Sequence, residues 1–243
     1  MTSPSVPTAG VPSPEAPAPP PIGEPPTTPL GLDRPALLVV SDGQGDLGVI
    51  RRLGRAAAGQ AWGLYLREPA LAARTLHELA IELTALGLRV LIADRVDVAL
   101  ASGAFGVELG ERSLPVARVR AWVGRGLYLG RSVHDLAGAR AAAREGADWL
   151  LCGQVYPSSS KPRGQATGIA SLAAVTAAVS VPVLAIGGIQ AARVPAVLAA
   201  GASGIAVISA VLGAKDPGAA VRELGQALAS AGGRSGGARV PGR

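Results

Sequence analysis

The stretch Val181–Leu212, VPVLAIGGIQAARVPAVLAAGASGIAVISAVL, holds two successive copies of one pattern. A short apolar run (Pro182–Ile186) ends in Gly187-Gly188, and a segment of helical spacing follows near 190–199. Gly201 then stops that helix, and a second apolar run (Gly204–Ile208) ends at Ser209. Apolar runs this short, without polar alternation, suit strands buried on both faces, as a parallel sheet requires. A glycine closing the helix before each strand is the usual αβ connection.

Working outward, the same unit recurs. Further apolar runs lie at Ala36–Ser41, Trp62–Leu66, Arg89–Ile92, Phe105–Leu109, Leu127–Gly130 and Asp148–Cys152, which brings the strands to eight. Helical segments fall between them, near 46–58, 71–86, 96–101, 115–123, 135–145 and 168–178, and a last one near 216–229. Regular βα alternation with eight strands predicts a single (β/α)8 TIM barrel over residues 36–229. An open doubly wound sheet is the other arrangement of such units, but no GxGxxG follows the first strand. Residues 1–35 carry twelve of the 20 prolines and few large apolar side chains, so they read as a disordered tail. The Gly/Ser/Arg-rich stretch 230–243 reads the same way.

Composition excludes several classes of function. One Cys and two His cannot form a disulfide framework or a His- or Cys-rich metal site. There is no long charge-free apolar run, hence no membrane span, and no secretory signal pattern, so the cytoplasm is the default location. The net charge is +6, but the arginines are scattered and aromatics make up only 3% of the chain, which argues against nucleic acid. A small anionic substrate fits the positive balance better.

Barrel chemistry sits at the C-terminal ends of strands. Gly187-Gly188 after the seventh strand and Ile208-Ser209 after the eighth form the expected phosphate-binding position, where glycine allows backbone N–H groups to approach an anion. His134 follows the fifth strand; it could move a proton at neutral pH or simply bond a neighbouring loop. Arg67 after the second strand could hold a phosphate or carboxylate. Asp94 after the third is either a site carboxylate or half of a rim pair with Arg95. The long loop Gly153–Lys161 suggests a lid, with its three serines and Lys161 available to a polar ligand. Cys152 ends a buried strand and reads as an inert core residue.

With these segments in place, the chain resembles the thiamine phosphate synthase/TenI family over residues 36–228. The resemblance rests on LREP (Leu66–Pro69), ADRVDVALASGAFGVELGERSLPV (Ala93–Val116), GRSVHDLAGA (Gly130–Ala139), GADWLLCGQVYPSSSKPRG (Gly146–Gly164), VPVLAIGGI (Val181–Ile189) and GASGIAVISAVLGAKDP (Gly201–Pro217). It implies a thiamine-biosynthetic barrel acting on a thiazole phosphate, with Arg67, Asp94, Ser132 and Lys161 binding substrate and Gly187, Gly188, Ile208 and Ser209 binding phosphate. Two activities occur in such a family. A synthase joins hydroxymethylpyrimidine diphosphate to thiazole phosphate through a pyrimidine cation, with Mg²⁺ on the leaving diphosphate and Asp94 as a ligand. A TenI-like tautomerase aromatises a carboxythiazole phosphate by proton transfer through His134, without a metal.

Departures from the synthase pattern favour the tautomerase here. Tyr65 stands where synthases have Gln, Pro69 where they have a diphosphate-binding Lys, Ser113 where they have a metal-binding Asp, and Ala93 where they have Asn. The expectation is therefore an isomerase without cofactor, with synthase as the alternative and a non-catalytic phosphate-binding barrel as a third reading. Ala-rich side helices leave a homo-oligomer open.

Overall fold

Alternating short apolar strands with helices produces the expected closed architecture. The computed structural model describes residues 35–158 and 166–232. Its strands are β1 Ala36–Val40, β2 Gly63–Leu66, β3 Val90–Ala93, β4 Gly106–Leu109, β5 Tyr128–Val133, β6 Trp149–Gly153, β7 Val183–Ile186 and β8 Gly204–Val207. All pair in parallel with their sequence neighbours, and β8 closes onto β1 through Ala36↔Gly204 to Val39↔Val207. The helices are α1 Leu47–Ala57, α2 Ala73–Ala85, α3 Val96–Ser102, α4 Val116–Val123, α5 Leu136–Arg144, α6 Gly168–Ala178, α7 Val194–Ala199, α8 Ser209–Leu212 and α9 Pro217–Gly232. The chain is a (β/α)8 TIM barrel.

The continuous apolar runs have a plain cause. Successive strand residues point alternately inward and outward. Leu37, Val39, Leu64, Leu66, Val90 and Ile92 face the helices and join the larger core. Ala36, Leu38, Val40, Tyr65, Leu91 and Leu184 fill the barrel interior instead. Both faces are dry, so both carry apolar side chains. Local signals start the helices: Asp46 accepts from the Val49 N–H at 3.0 Å to cap α1, and Asp135 accepts from the Gly138 N–H at 2.7 Å to cap α5.

Some boundaries differ from the sequence reading. An apolar criterion ended the fifth strand at Gly130, but β5 continues through the polar Arg131 and Ser132, which carry it up to the mouth. The segment near 190–199 divides into a 3-10 turn, Ala191–Arg193, and α7. The short α8 was not separated from its surroundings, and α9 runs to Gly232, into the stretch read as a tail. The remaining tail assignments, 1–34 and 233–243, lie outside the described residues. Among the described residues no helix is long and apolar enough to cross a membrane.

Aromatic side chains close the N-terminal end of the barrel. Trp62 meets Phe105 edge-on at 5.6 Å, Phe105 stacks on Tyr128 at 4.6 Å, and Trp62 meets Trp149 at 6.4 Å. The Arg89 guanidinium lies over both Trp62 and Phe105, 5.7 and 5.5 Å from the ring centres. Above this floor the register sets Glu108 beside Gly130 and Gly130 beside Trp149. Because Gly130 has no side chain, Trp149 and Glu108 meet across it, and the indole Nε1–H donates to Glu108 Oε2 at 2.8 Å. A Cβ at Gly130 would fall 2.1 Å from both Glu108 Oε2 and Trp149 Cε2. Gly130→Ala should therefore destabilise the fold by about 3 kcal/mol through overpacking, measured by urea denaturation. An unchanged midpoint would show that the layer yields more easily than its packing implies.

Candidate active site

At the C-terminal end of the barrel is a cavity of about 660 Å³. Arg67, Asp94, Ser132, His134, Gly187 and Ile208, all singled out in the sequence, line it together. Gly188 and Ser209 are each the next residue in their loops, beside Gly187 and Ile208. Lys161, and the lid reading built on its loop, lie outside the described residues.

Arg67 is held through its backbone. Its N–H donates to the Ser41 hydroxyl at 2.9 Å. The neighbouring Glu68 is buried, and its carboxylate accepts from the N–H groups of Gly43 at 3.2 Å and Gly45 at 2.7 Å. Glu68 thereby ties the β1–α1 loop to the end of β2, on the Arg67 side of the mouth.

Asp94 has φ +57, the left-handed region that Asp and Asn tolerate better than most residues. Its Oδ1 accepts from the Gly110 N–H at 3.0 Å and from the Ser113 hydroxyl. The expected rim pair with Arg95 does not form. Arg95 turns outward and binds Asp97 at 2.6 Å, because two residues on along the exposed first turn of α3 is closer than the mouth. Among the described residues Asp94 Oδ2 has no hydrogen-bond partner, so one oxygen remains available to the cavity.

His134 follows directly on β5. Its Nδ1 bonds the Gly153 carbonyl, and since a carbonyl only accepts, Nδ1 carries the proton. Nε2 lies 3.7 Å from the Glu111 carboxylate. The bond to a neighbouring strand end and the place in the cavity wall are both real. Gly187 and Gly188 have φ +106 and +62, so both need glycine. At Gly188 close approach adds a second reason, since a Cβ would fall 2.3 Å from the Pro157 carbonyl oxygen.

Two residues were passed over in the sequence. Glu108 was only one member of a strand-end stretch, yet it lies inside the barrel with 0% exposure. Burial pushes its carboxyl up to about 8, against the opposing pull of hydrogen bonds from Ser132 Oγ at 2.9 Å and from Trp149. The available signal was a lone acid inside the apolar run Phe105–Leu109. Burial also raises the Tyr65 phenol, helped by Glu108 and Asp94. The second residue is Gln154, just past β6 and buried in the cavity wall. Cys152 is buried, and burial pushes its thiol up to about 11, which fits the inert role expected of it.

The family model described as thiamine monophosphate synthase matches residues 36–211. The chain belongs to the thiamine monophosphate synthase family. A thiamine-phosphate synthase from Methanoculleus marisnigri is 45% identical over 181 residues, covering 72% of this chain and 86% of that one. One from Desulfitobacterium hafniense is 41% identical over 175 residues, covering 70% and 84%. Among solved structures, a thiamine phosphate pyrophosphorylase from Pyrococcus furiosus superposes with a TM-score of 0.73 at 34% identity, over 81% of this chain and 96% of that one.

These relatives overturn the expected tautomerase assignment: the two sequence relatives are named thiamine-phosphate synthase, the solved structure thiamine phosphate pyrophosphorylase, and none of the three is named a tautomerase. That expectation weighed the missing charges at Pro69 and Ser113 too heavily. The fold sets the Ser113 hydroxyl directly on the Asp94 carboxylate, so Ser113 is joined to the site it was read as leaving incomplete.

Proposed function

We propose that the chain is a thiamine-phosphate synthase, joining hydroxymethylpyrimidine diphosphate to a thiazole phosphate with release of diphosphate. The observation that carries this reading is the 45% identity to a named synthase over 72% of the chain. A mouth holding Arg67 and Asp94 on one side and Gly187 and Ile208 on the other supports it. A cavity of about 660 Å³ is within the range of small-ligand sites and gives room for two ring substrates.

In this reaction the C–O bond from the pyrimidine methylene to diphosphate breaks and its electron pair leaves with the diphosphate. The thiazole nitrogen then forms a C–N bond to the same methylene carbon. Arg67 is placed to hold the diphosphate by charge and hydrogen bonds. The Gly187–Gly188 and Ile208–Ser209 loops hold the thiazole phosphate, which orients the nucleophile. The apolar walls Val40, Leu151 and Ile186 exclude water from the pyrimidine cation.

Among the described residues no cluster of three Asp, Glu, His or Cys side chains forms a metal cage. Mg²⁺ does not need one, since it commonly takes one or two carboxylates together with substrate phosphate oxygens and water. The free Oδ2 of Asp94, with the Ser113 hydroxyl beside it, fits that demand. Asp94 would hold the ion, whose chemistry there is neutralisation of the leaving diphosphate.

Incubating the protein with both substrates and Mg²⁺ should yield thiamine phosphate and diphosphate, followed by chromatography. EDTA should suppress the product. Absence of thiamine phosphate at saturating Mg²⁺ would remove this assignment.

A further inference from the structure

Gln154, just past β6, is 8% exposed and lines the cavity. Among the described residues both polar atoms of its side chain, Oε1 and Nε2, are buried without a hydrogen-bond partner. Every other buried polar side chain among the described residues is engaged: Ser41 with Arg67, Glu68 with Gly43 and Gly45, and Glu108 with Ser132 and Trp149. Leaving an amide unmet costs stability, so one kept at a cavity wall points to a ligand that completes it.

The backbone of Gln154 is fixed. Its carbonyl accepts from the Thr167 N–H at 2.8 Å and from the Thr167 hydroxyl at 3.1 Å. On the other side it packs on Gly187, where a Cβ would fall 2.9 Å from Gln154 Cα and 2.7 Å from its Cγ. The stem is thus held between the ends of β6 and β7. The surrounding wall, Leu151 and Ile186, is apolar and suits the face of a flat ring.

We infer that the Gln154 amide reads the aminopyrimidine ring of the first substrate, accepting from its exocyclic amine through Oε1 and donating to the adjacent ring nitrogen through Nε2. This rests on the synthase reading for the identity of the ring. The two unmet atoms are one acceptor and one donor, side by side. A phosphate or diphosphate offers only acceptors and would satisfy Nε2 alone. The thiazole nitrogen needs its lone pair for the new C–N bond and cannot accept a hydrogen bond as it attacks. An amine next to a ring nitrogen presents the complementary pair, the pattern by which glutamine side chains recognise adenine. Gln154 is therefore a specificity residue for the pyrimidine half.

The test compares binding of the aminopyrimidine diphosphate with that of an analogue carrying hydrogen in place of the amine, by calorimetry. The wild-type chain should prefer the amine at least tenfold. Gln154→Met keeps the length and removes both polar atoms. It should abolish that preference, leave thiazole phosphate affinity within twofold, and leave the melting temperature unchanged or higher, since an unmet amide is gone. Equal binding of the two ligands by the wild type overturns the inference, and this needs no variant. So does a preference that survives in Gln154→Met. Thiamine phosphate formation by the wild type is scored separately. If it is absent while the Gln154-dependent preference is present, the synthase reading fails and the ring-reading role stands.

Discussion

Asp94→Asn is expected to lower kcat/KM for thiamine phosphate formation by about 10²- to 10³-fold, the usual scale for removing one electrostatic contact to developing charge. Asparagine is the informative replacement because residue 94 sits at φ +57. Asn tolerates that region, whereas Ala would add roughly 1–2 kcal/mol of backbone strain. An Asn oxygen can still accept from Gly110 and Ser113, so the loop from 110 to 113 keeps its anchor. What is lost is one negative charge at the mouth. The melting temperature should move little, and the Mg²⁺ concentration giving half-maximal rate should rise. Rates indistinguishable from wild type across a Mg²⁺ titration would show that Asp94 serves only to hold the loop.

Glu108→Gln should change how stability depends on pH. The folded-state carboxyl titrates at about 8 rather than 4.5, chiefly because burial penalises its charged form. A raised acid pKa stabilises the fold fully below pH 4.5, where both states are protonated. As pH rises toward 8 the unfolded chain loses its proton first, and that contribution drains away until it is gone above 8. Glutamine cannot ionise, yet its oxygen can accept from Trp149 and its amide can donate to the Ser132 hydroxyl. Relative to wild type, the variant should be close to neutral at pH 4.5 and more stable at pH 8 by on the order of a few kcal/mol. Urea denaturation at the two pH values measures this. Parallel pH profiles for the two proteins would mean that Glu108 does not titrate as its burial dictates.

Parts of this molecule were legible in one dimension. Strand and helix order follow from local periodicity, because a strand buried on both faces must be apolar throughout and the helix after it must be amphipathic. Closure into a barrel follows from the count of eight. Arg67, Asp94, Ser132, His134, Gly187 and Ile208 were found because a parallel barrel brings all its strand ends to one rim. The choice between activities went wrong at Pro69 and Ser113, where absent charges were read one residue at a time.

Sequence periodicity thus determined the barrel, its rim and the residues on it, since these depend on spacing along the chain. Tertiary structure alone decided three things that depend on contacts across strands. It set Ser113 on Asp94, nineteen residues earlier, with Gly110 bonded to the same carboxylate. It buried Glu108 between Ser132 and Trp149 over the gap at Gly130, which turned an ordinary acid into a group titrating at about 8. It also carried the Gln154 amide into a dry wall beside Gly187, away from any partner among the described residues. Solvation and hydrogen-bond pairing belong to a residue's surroundings, and those exist only once distant strands have met.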